Sequence, residues 1–184
     1  MNDLKLKKVN IYDFSNIYDD MLQQFPPGEL KSYEVFKKLL SDGILKCYKA
    51  VDNTDEVGYV IYTELKNGDK WLEYIAIKKE FQSKGYGRKI LALLNNCYME
   101  VEKPDEKLPD TLRRIKFYTS LGAKRLDVNY IYPNNTGGLP MDLYYLGDST
   151  PDKAGVMDTI SEIFTGLHSD VKNIDKIFNK ISMV

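Results

Sequence analysis

Apolar residues recur at spacings of three and four from Ile11 to Phe25, through Phe14, Ile17, Tyr18, Met21 and Leu22, which predicts an amphipathic helix. Pro26-Pro27-Gly28 stops it, because proline cannot continue the helical hydrogen-bond ladder. Ser32 stands where an N-cap belongs, ahead of Tyr33, Val35, Phe36, Leu39 and Leu40, so a second helix is predicted to run to Asp42-Gly43. The period then drops to two. Ile44 to Val51, Glu56 to Leu65 and Trp71 to Ile77 read as three strands with turns around Asn53 and at Asn67-Gly68-Asp69, an antiparallel meander. Past the polar stretch Lys78 to Gly87, the run Arg88 to Leu94 predicts a short apolar helix and Cys97 to Val101 a returning strand, a strand-helix-strand crossover.

Lys103 to Asp110 reads as a surface loop, Thr111 to Leu121 as a helix ended by Gly122, and Arg125 to Tyr132 and Met141 to Leu146 as strands. The polar segment Pro133 to Gly138 between those strands is expected to be a mobile loop. Beyond Pro151, Val156, Ile160, Ile163, Phe164 and Leu167 mark one amphipathic helix, and Val171, Ile174, Ile177, Phe178 and Ile181 another. The expected organisation is one mixed α/β domain with a single sheet over residues 1–148 and a helical extension over 149–184. That extension would dock on the domain or on a second copy as a homodimer.

Composition narrows the function classes. At 184 residues and 43% apolar, the chain can bury a core of its own. Twenty-six basic against 27 acidic residues leave a net charge of -1, which removes the expectation of a nucleic-acid surface. No apolar run approaches the length of a membrane span, and Met1 to Lys8 alternates lysine with leucine, unlike a secretory leader. With two distant cysteines, Cys47 and Cys97, a cytoplasmic protein with reduced thiols is expected, both cysteines serving as small buried hydrophobes. The one histidine, His168, excludes a site needing two imidazoles; it is expected at the surface or an interface, and no metal is expected. Fourteen tyrosines suggest that some line a cleft.

The candidate chemistry lies after the third strand. The apolar strand ending Ile75-Ala76-Ile77 runs into Gln82-Ser83-Lys84-Gly85-Tyr86-Gly87-Arg88, where two glycines let backbone approach a ligand and a helix begins with unpartnered amides suited to an anion such as a pyrophosphate. A P-loop would need Gly-Lys-Ser/Thr after a longer glycine spacing. A Rossmann fingerprint would need a third small residue where Ile90 stands, and would not follow an antiparallel meander. Gln-x-x-Gly-x-Gly after such a strand resembles motif A of the GCN5-related N-acetyltransferase (GNAT) superfamily. Met99-Glu100-Val101-Glu102 as the next strand and Phe117-Tyr118 leading to Leu121-Gly122 are similar to its motif B region. The resemblance spans about Lys5 to Leu146. Phe25-Pro26 with Glu29, and Tyr130-x-Tyr132-Pro133 leading to Pro140-Met141, resemble bacterial members of mostly unassigned substrate.

The resemblance implies a mostly antiparallel sheet with one parallel, splayed strand pair and flanking helices, and acetyl-CoA as co-substrate. Ile75, Ala76 and Ile77 would meet the pantetheine by main chain, while Gln82, Ser83, Lys84, Gly85, Tyr86, Gly87 and Arg88 would hold the pyrophosphate. It implies direct acetyl transfer to a primary amine of a small molecule or peptide, with Tyr118 as the acid near sulfur. The alternative is an acyl-CoA-binding module of the same fold without catalysis. Glu73, a carboxylate in an apolar strand, is the leading candidate for the base, with Glu100, Glu102, Glu29 or a water chain as rivals. Glu29, Glu100, Tyr130 and Tyr132 fall where the family recognises the acceptor, and carboxylates with tyrosines suit a cationic amine.

Overall fold

The computed structural model describes residues 4–184, so the first three residues of the Met1–Lys8 segment read above lie outside the described residues. The chain separates into two compact units, one holding residues 4–64 and 72–94, the other Leu65–Trp71 and Asn95–Val184.

In the first unit, β1 (Leu4–Lys8), β2 (Leu45–Asp52), β3 (Asp55–Glu64) and β4 (Lys70–Ile77, of which Leu72 onward belongs to this unit) are successive neighbours, β1 and β3 both antiparallel to β2. Helices α1 (Phe14–Gln24) and α2 (Tyr33–Ser41) turn Phe14, Ile17, Met21, Phe36 and Leu39 inward, which is the spacing their sequences set. Ser32 caps α2 by accepting from the Val35 amide at 3.4 Å, and Gly43 beyond its end takes φ 73°. Tyr74 of β4 packs on Phe36 (5.7 Å between ring centroids) and edge-on to Phe25 (5.0 Å). Its hydroxyl donates to the Glu29 carbonyl at 2.5 Å, which fastens the Pro27–Glu29 turn. α3 (Tyr86–Leu94) buries Ile90, Leu91 and Leu94.

In the second unit, β5 (Cys97–Glu102) pairs antiparallel with β8 (Leu139–Leu146), which also pairs β6 (Lys124–Arg125) and β7 (Val128–Tyr132); β9 (Ser182–Met183) adds to the far side of β7. α4 (Pro109–Ser120) lies against β5, joined to it by the Arg114–Glu102 ion pair, and α5 (Lys153–Gly166) and α6 (Ile174–Phe178) follow. An aromatic chain runs Tyr145, Tyr98, Trp71, Tyr130, Phe164, Phe178, each ring within 6.4 Å of the next.

Several elements depart from expectation. β1 and β9 are strands that the reading above did not name, although Leu4 and Leu6 alternating with Lys5 and Lys7 carries the signal for β1. The strand expected over Arg125 to Tyr132 is two pieces, interrupted at Leu126 and Asp127. The expected extension, residues 149–184, is not among these departures: it is grouped with the second unit and buries Ile160, Ile163, Phe164 and Leu167. The Pro133–Gly138 segment is pinned. Asn134 Oδ1 accepts from the Thr136 and Gly138 amides (3.0 and 2.9 Å), Asn135 Oδ1 from the Lys172 amide (2.9 Å), and the Gly137 carbonyl from Lys180 (3.3 Å).

Candidate active site

Lys89 donates to the Gly85 carbonyl at 3.2 Å, the first hydrogen bond of α3, so Gly85 is its N-cap and the amides of Tyr86, Gly87 and Arg88 have no partner within the helix. Ser83 (φ 61°) and Gly85 (φ 82°) are left-handed, whereas Lys84 between them is not. Such alternation of hand turns successive amides to one concave side, a nest for an anion, and the start of α3 adds its positive dipole end. A Cβ at Gly85 would meet nothing within 4 Å, so that side of the loop is open. The Gln82 side chain donates to the Ile77 carbonyl at 3.0 Å and braces the loop against the end of β4. Tyr86 donates to Asp52 at 2.7 Å and fixes the first turn of α3 to the end of β2. Lys84 is exposed over the Phe81 ring, and Arg88 is exposed on the first turn.

Glu73 is half-buried on β4. Because side chains alternate along a strand and Tyr74 faces the α1–α2 aromatics, Glu73, Ile75 and Ile77 share the opposite face, which the sequence left open. The position of Ala76 depends on a residue the sequence reading passed over. A Cβ at Gly58 of β3 would lie 2.2 Å from the Ala76 carbonyl oxygen and 3.1 Å from the Ile77 Cα, so only glycine lets β4 lie where it does. The register between β2 and β3 shifts at Ala50/Val51, the bulge that an isolated glycine in a strand signals.

In the second unit the Tyr130 hydroxyl donates to Glu100 Oε1, and Tyr130 is itself buried between Trp71 and Phe164. Tyr132 is half-buried, its ring edge-on to His168 at 5.5 Å. His168 is 0% exposed, which corrects the expectation of a surface or interface residue: the turn after α5 brings it in beside the buried Leu167 and Val171. Tyr118, on α4 beside Phe117, is 6% exposed, and burial pushes its phenol up to about 12. Cys47 and Cys97 are buried free thiols, as expected, and burial pushes Cys47 up to about 12. Glu29, with its carbonyl held by Tyr74, belongs to the first unit, as do Glu73 and the glycine loop; Tyr118, Glu100, Tyr130 and Tyr132 belong to the second.

Tyr59 and Tyr145 are raised by burial too, so alkaline stability has a defined sign. Below pH 10 these phenols are neutral in both folded and unfolded chains, and their contribution is intact. Between 10 and 12 the unfolded chain ionises while buried Tyr118 does not, so stability falls, by about 2–3 kcal/mol from Tyr118 alone. Tyrosinate absorbance from these residues is therefore expected to rise together with loss of circular dichroism above pH 10. A rise through ordinary phenol titration with the fold intact would contradict their burial.

Comparison with known proteins matches residues 44–122 to the family described as Acetyltransferase (GNAT) domain, a span reaching from the start of β2 through the glycine loop to the end of α4. A Bacillus subtilis (strain 168) protein named as an acetyltransferase, YjbC, is 23% identical over 168 residues, covering 84% of this chain and 82% of that one. A Bacteroides thetaiotaomicron structure titled as a GNAT-family acetyltransferase superposes with a TM-score of 0.76 at 22% identity, covering 89% and 97% of the two chains. A GNAT-family acetyltransferase from Elizabethkingia anophelis with acetyl-CoA bound gives 0.54 at 16% identity, over 80% of this chain and 100% of that one. The expected mixed α/β fold is thereby found. Among the described residues no helix is long and apolar enough to cross a membrane.

Proposed function

The chain belongs to the GNAT superfamily of acetyltransferases, and from that premise we propose that it transfers the acetyl group of acetyl-CoA to a primary amine of a small molecule or peptide. The observation that carries the coenzyme assignment is the alternating hand of Ser83, Lys84 and Gly85 at the start of α3, a cradle of amides whose shape and polarity fit a diphosphate. Ser83 to Arg88 would hold that diphosphate, and the main chain of Ile75 to Ile77 the pantetheine arm. When bound, acetyl-CoA supplies an acetyl group activated as a thioester.

The other requirements fall to side chains. Tyr118 is neutral at every physiological pH and can donate a proton where negative charge develops on sulfur. Glu73, half-buried on β4, is the proposed proton acceptor for the amine. Glu29, Glu100 and Tyr132 are proposed to receive the acceptor, which arrives as a cation and is drawn to carboxylates and aromatic faces, while Tyr130, itself buried, serves this side by donating its hydroxyl to Glu100. No metal is needed in this scheme.

Isothermal titration with acetyl-CoA, with NADH and ATP as controls, tests the coenzyme. Thiol release with spermidine, n-butylamine, Nα-acetyl-lysine and a peptide with a free N-terminus then tests transfer. Saturable, selective binding with amine-dependent thiol release is expected. Binding without release from any amine would favour a non-catalytic acyl-CoA-binding module, and no binding by folded protein would remove the coenzyme assignment. Gly85→Val sharpens the test. The added side chain points into open space, so its cost to the fold is the left-handed φ, about 1–2 kcal/mol, while acetyl-CoA affinity should fall at least about tenfold because the branch stands where the ligand must approach. Unchanged affinity would place the diphosphate elsewhere.

A further inference from the structure

We infer that His168 is a positioning residue for Glu100 on the acceptor side of the transfer site, an inference that rests on the acetyltransferase reading. Glu100 projects from β5, and two side chains from separate elements converge on it. From β7, the buried Tyr130 donates its hydroxyl to Oε1. From the turn after α5, a His168 ring nitrogen and a Glu100 carboxylate oxygen lie within 4.8 Å of one another.

The backbone of His168 is anchored at both of its polar groups. Its backbone amide donates to the Ile163 carbonyl at 3.2 Å and its carbonyl accepts from Val171 at 2.9 Å, while the ring stands edge-on to Tyr132 at 5.5 Å and Phe164 at 6.2 Å. A wholly buried imidazole among aromatic rings is a costly choice if filling space were its only role, since an apolar ring would do so without desolvating two nitrogens. The Glu100 carboxylate, whose oxygen lies within 4.8 Å of a ring nitrogen, is the charged group that we assign to offset that cost.

The consequence for chemistry is orientation. A glutamate side chain has several rotatable bonds, and a carboxylate that swings among rotamers receives a cationic amine poorly. Held by the Tyr130 hydroxyl and flanked by the His168 ring, Glu100 would present an oriented carboxylate to an incoming ammonium group. The C-terminal segment thereby shapes acceptor affinity through a residue outside the span matched by the family.

Because the sequence contains one histidine, the imidazole nitrogens of uniformly nitrogen-15-labelled protein give one pair of resonances, observable without any substrate. Glu100→Gln is expected to shift them markedly; unshifted resonances would overturn the pairing. That comparison leaves His168 in place and stands even where a His168 variant does not fold. In kinetics, His168→Gln is expected to raise KM for the amine that wild type acetylates best at least about tenfold, with KM for acetyl-CoA unchanged and partial rescue by His168→Asn. A variant with unaltered acceptor KM, or with both KM values raised together, would overturn the role while leaving the acetyltransferase assignment standing. Wild-type protein that acetylates none of the four amines would overturn both, so the two failures are distinct.

Discussion

Tyr118→Phe is expected to lower kcat by about a hundredfold or more, the range of a lost general acid, while the dissociation constant of acetyl-CoA moves by less than about threefold. The substitution removes one oxygen and keeps the ring, so the packing against Phe117 survives and the fold should lose no more than about 1 kcal/mol. Burial bears on the mechanism as well as on stability. Burial that raises the phenol to about 12 keeps it protonated at neutral pH, as an exposed phenol also is, but makes it a weaker acid, so its role depends on lying close to the departing sulfur. Steady-state kinetics on thiol release, paired with calorimetric binding of acetyl-CoA, checks the split. If kcat is unchanged, Tyr118 is a packing residue and another group must protonate the leaving thiolate.

The second large effect is expected at Gly58, far from any residue with acid-base chemistry. Gly58→Ala sets a methyl 2.2 Å from the Ala76 carbonyl oxygen, a backbone atom that cannot swing aside as the end of a flexible side chain would. Either β3 or β4 must shift, at a cost of about 3 kcal/mol. For a chain of this length that corresponds to a fall of about 6–12 °C in Tm. Because Ala76 lies in the strand proposed to meet the pantetheine arm, acetyl-CoA binding should weaken about tenfold even in the fraction that remains folded. Thermal unfolding followed by circular dichroism, with calorimetric titration below the new Tm, measures both. Wild-type stability in Gly58→Ala would mean that the two strands accommodate a side chain there.

The two residues differ in how they could be found. Tyr118 stands in Phe-Tyr ahead of Leu-Gly, a local pattern similar to a known motif. Gly58 stands inside an alternating strand, where an isolated glycine signals a bulge or a close approach without naming the partner, and Ala76 is supplied by a strand that comes later in the chain. Glu73 illustrates the same division. Alternation groups it with Ile75, but the face was settled only when Tyr74 was seen to pack on Phe25 and Phe36.

His168 shows how a local reading goes astray. A histidine next to Ser169 and Asp170 after an amphipathic helix has the surroundings of an exposed turn, and the sequence nearby contains nothing to bury it. The groups that cover it include Tyr132, from a strand well upstream in the chain. The Pro133–Gly138 segment differs from its expected character for a related reason. Its composition is that of a flexible loop, yet the amide of Lys172 and the ammonium of Lys180 hold it from the C-terminal segment.

What the amino-acid sequence determined by itself is therefore what depends on neighbours within a few positions. The helix periods and the Ser32 cap are of this kind, as are the left-handed glycines at Gly43 and Gly122 and the glycine loop that opens α3. Each is set by steric and hydrogen-bonding terms local to a turn of chain. The tertiary structure alone decided which face of β4 carries Glu73, why residue 58 must be glycine, and that the one histidine is buried beside Glu100. Those outcomes rest on burial and close approach between segments distant in sequence, and such terms come into being only when the chain has folded.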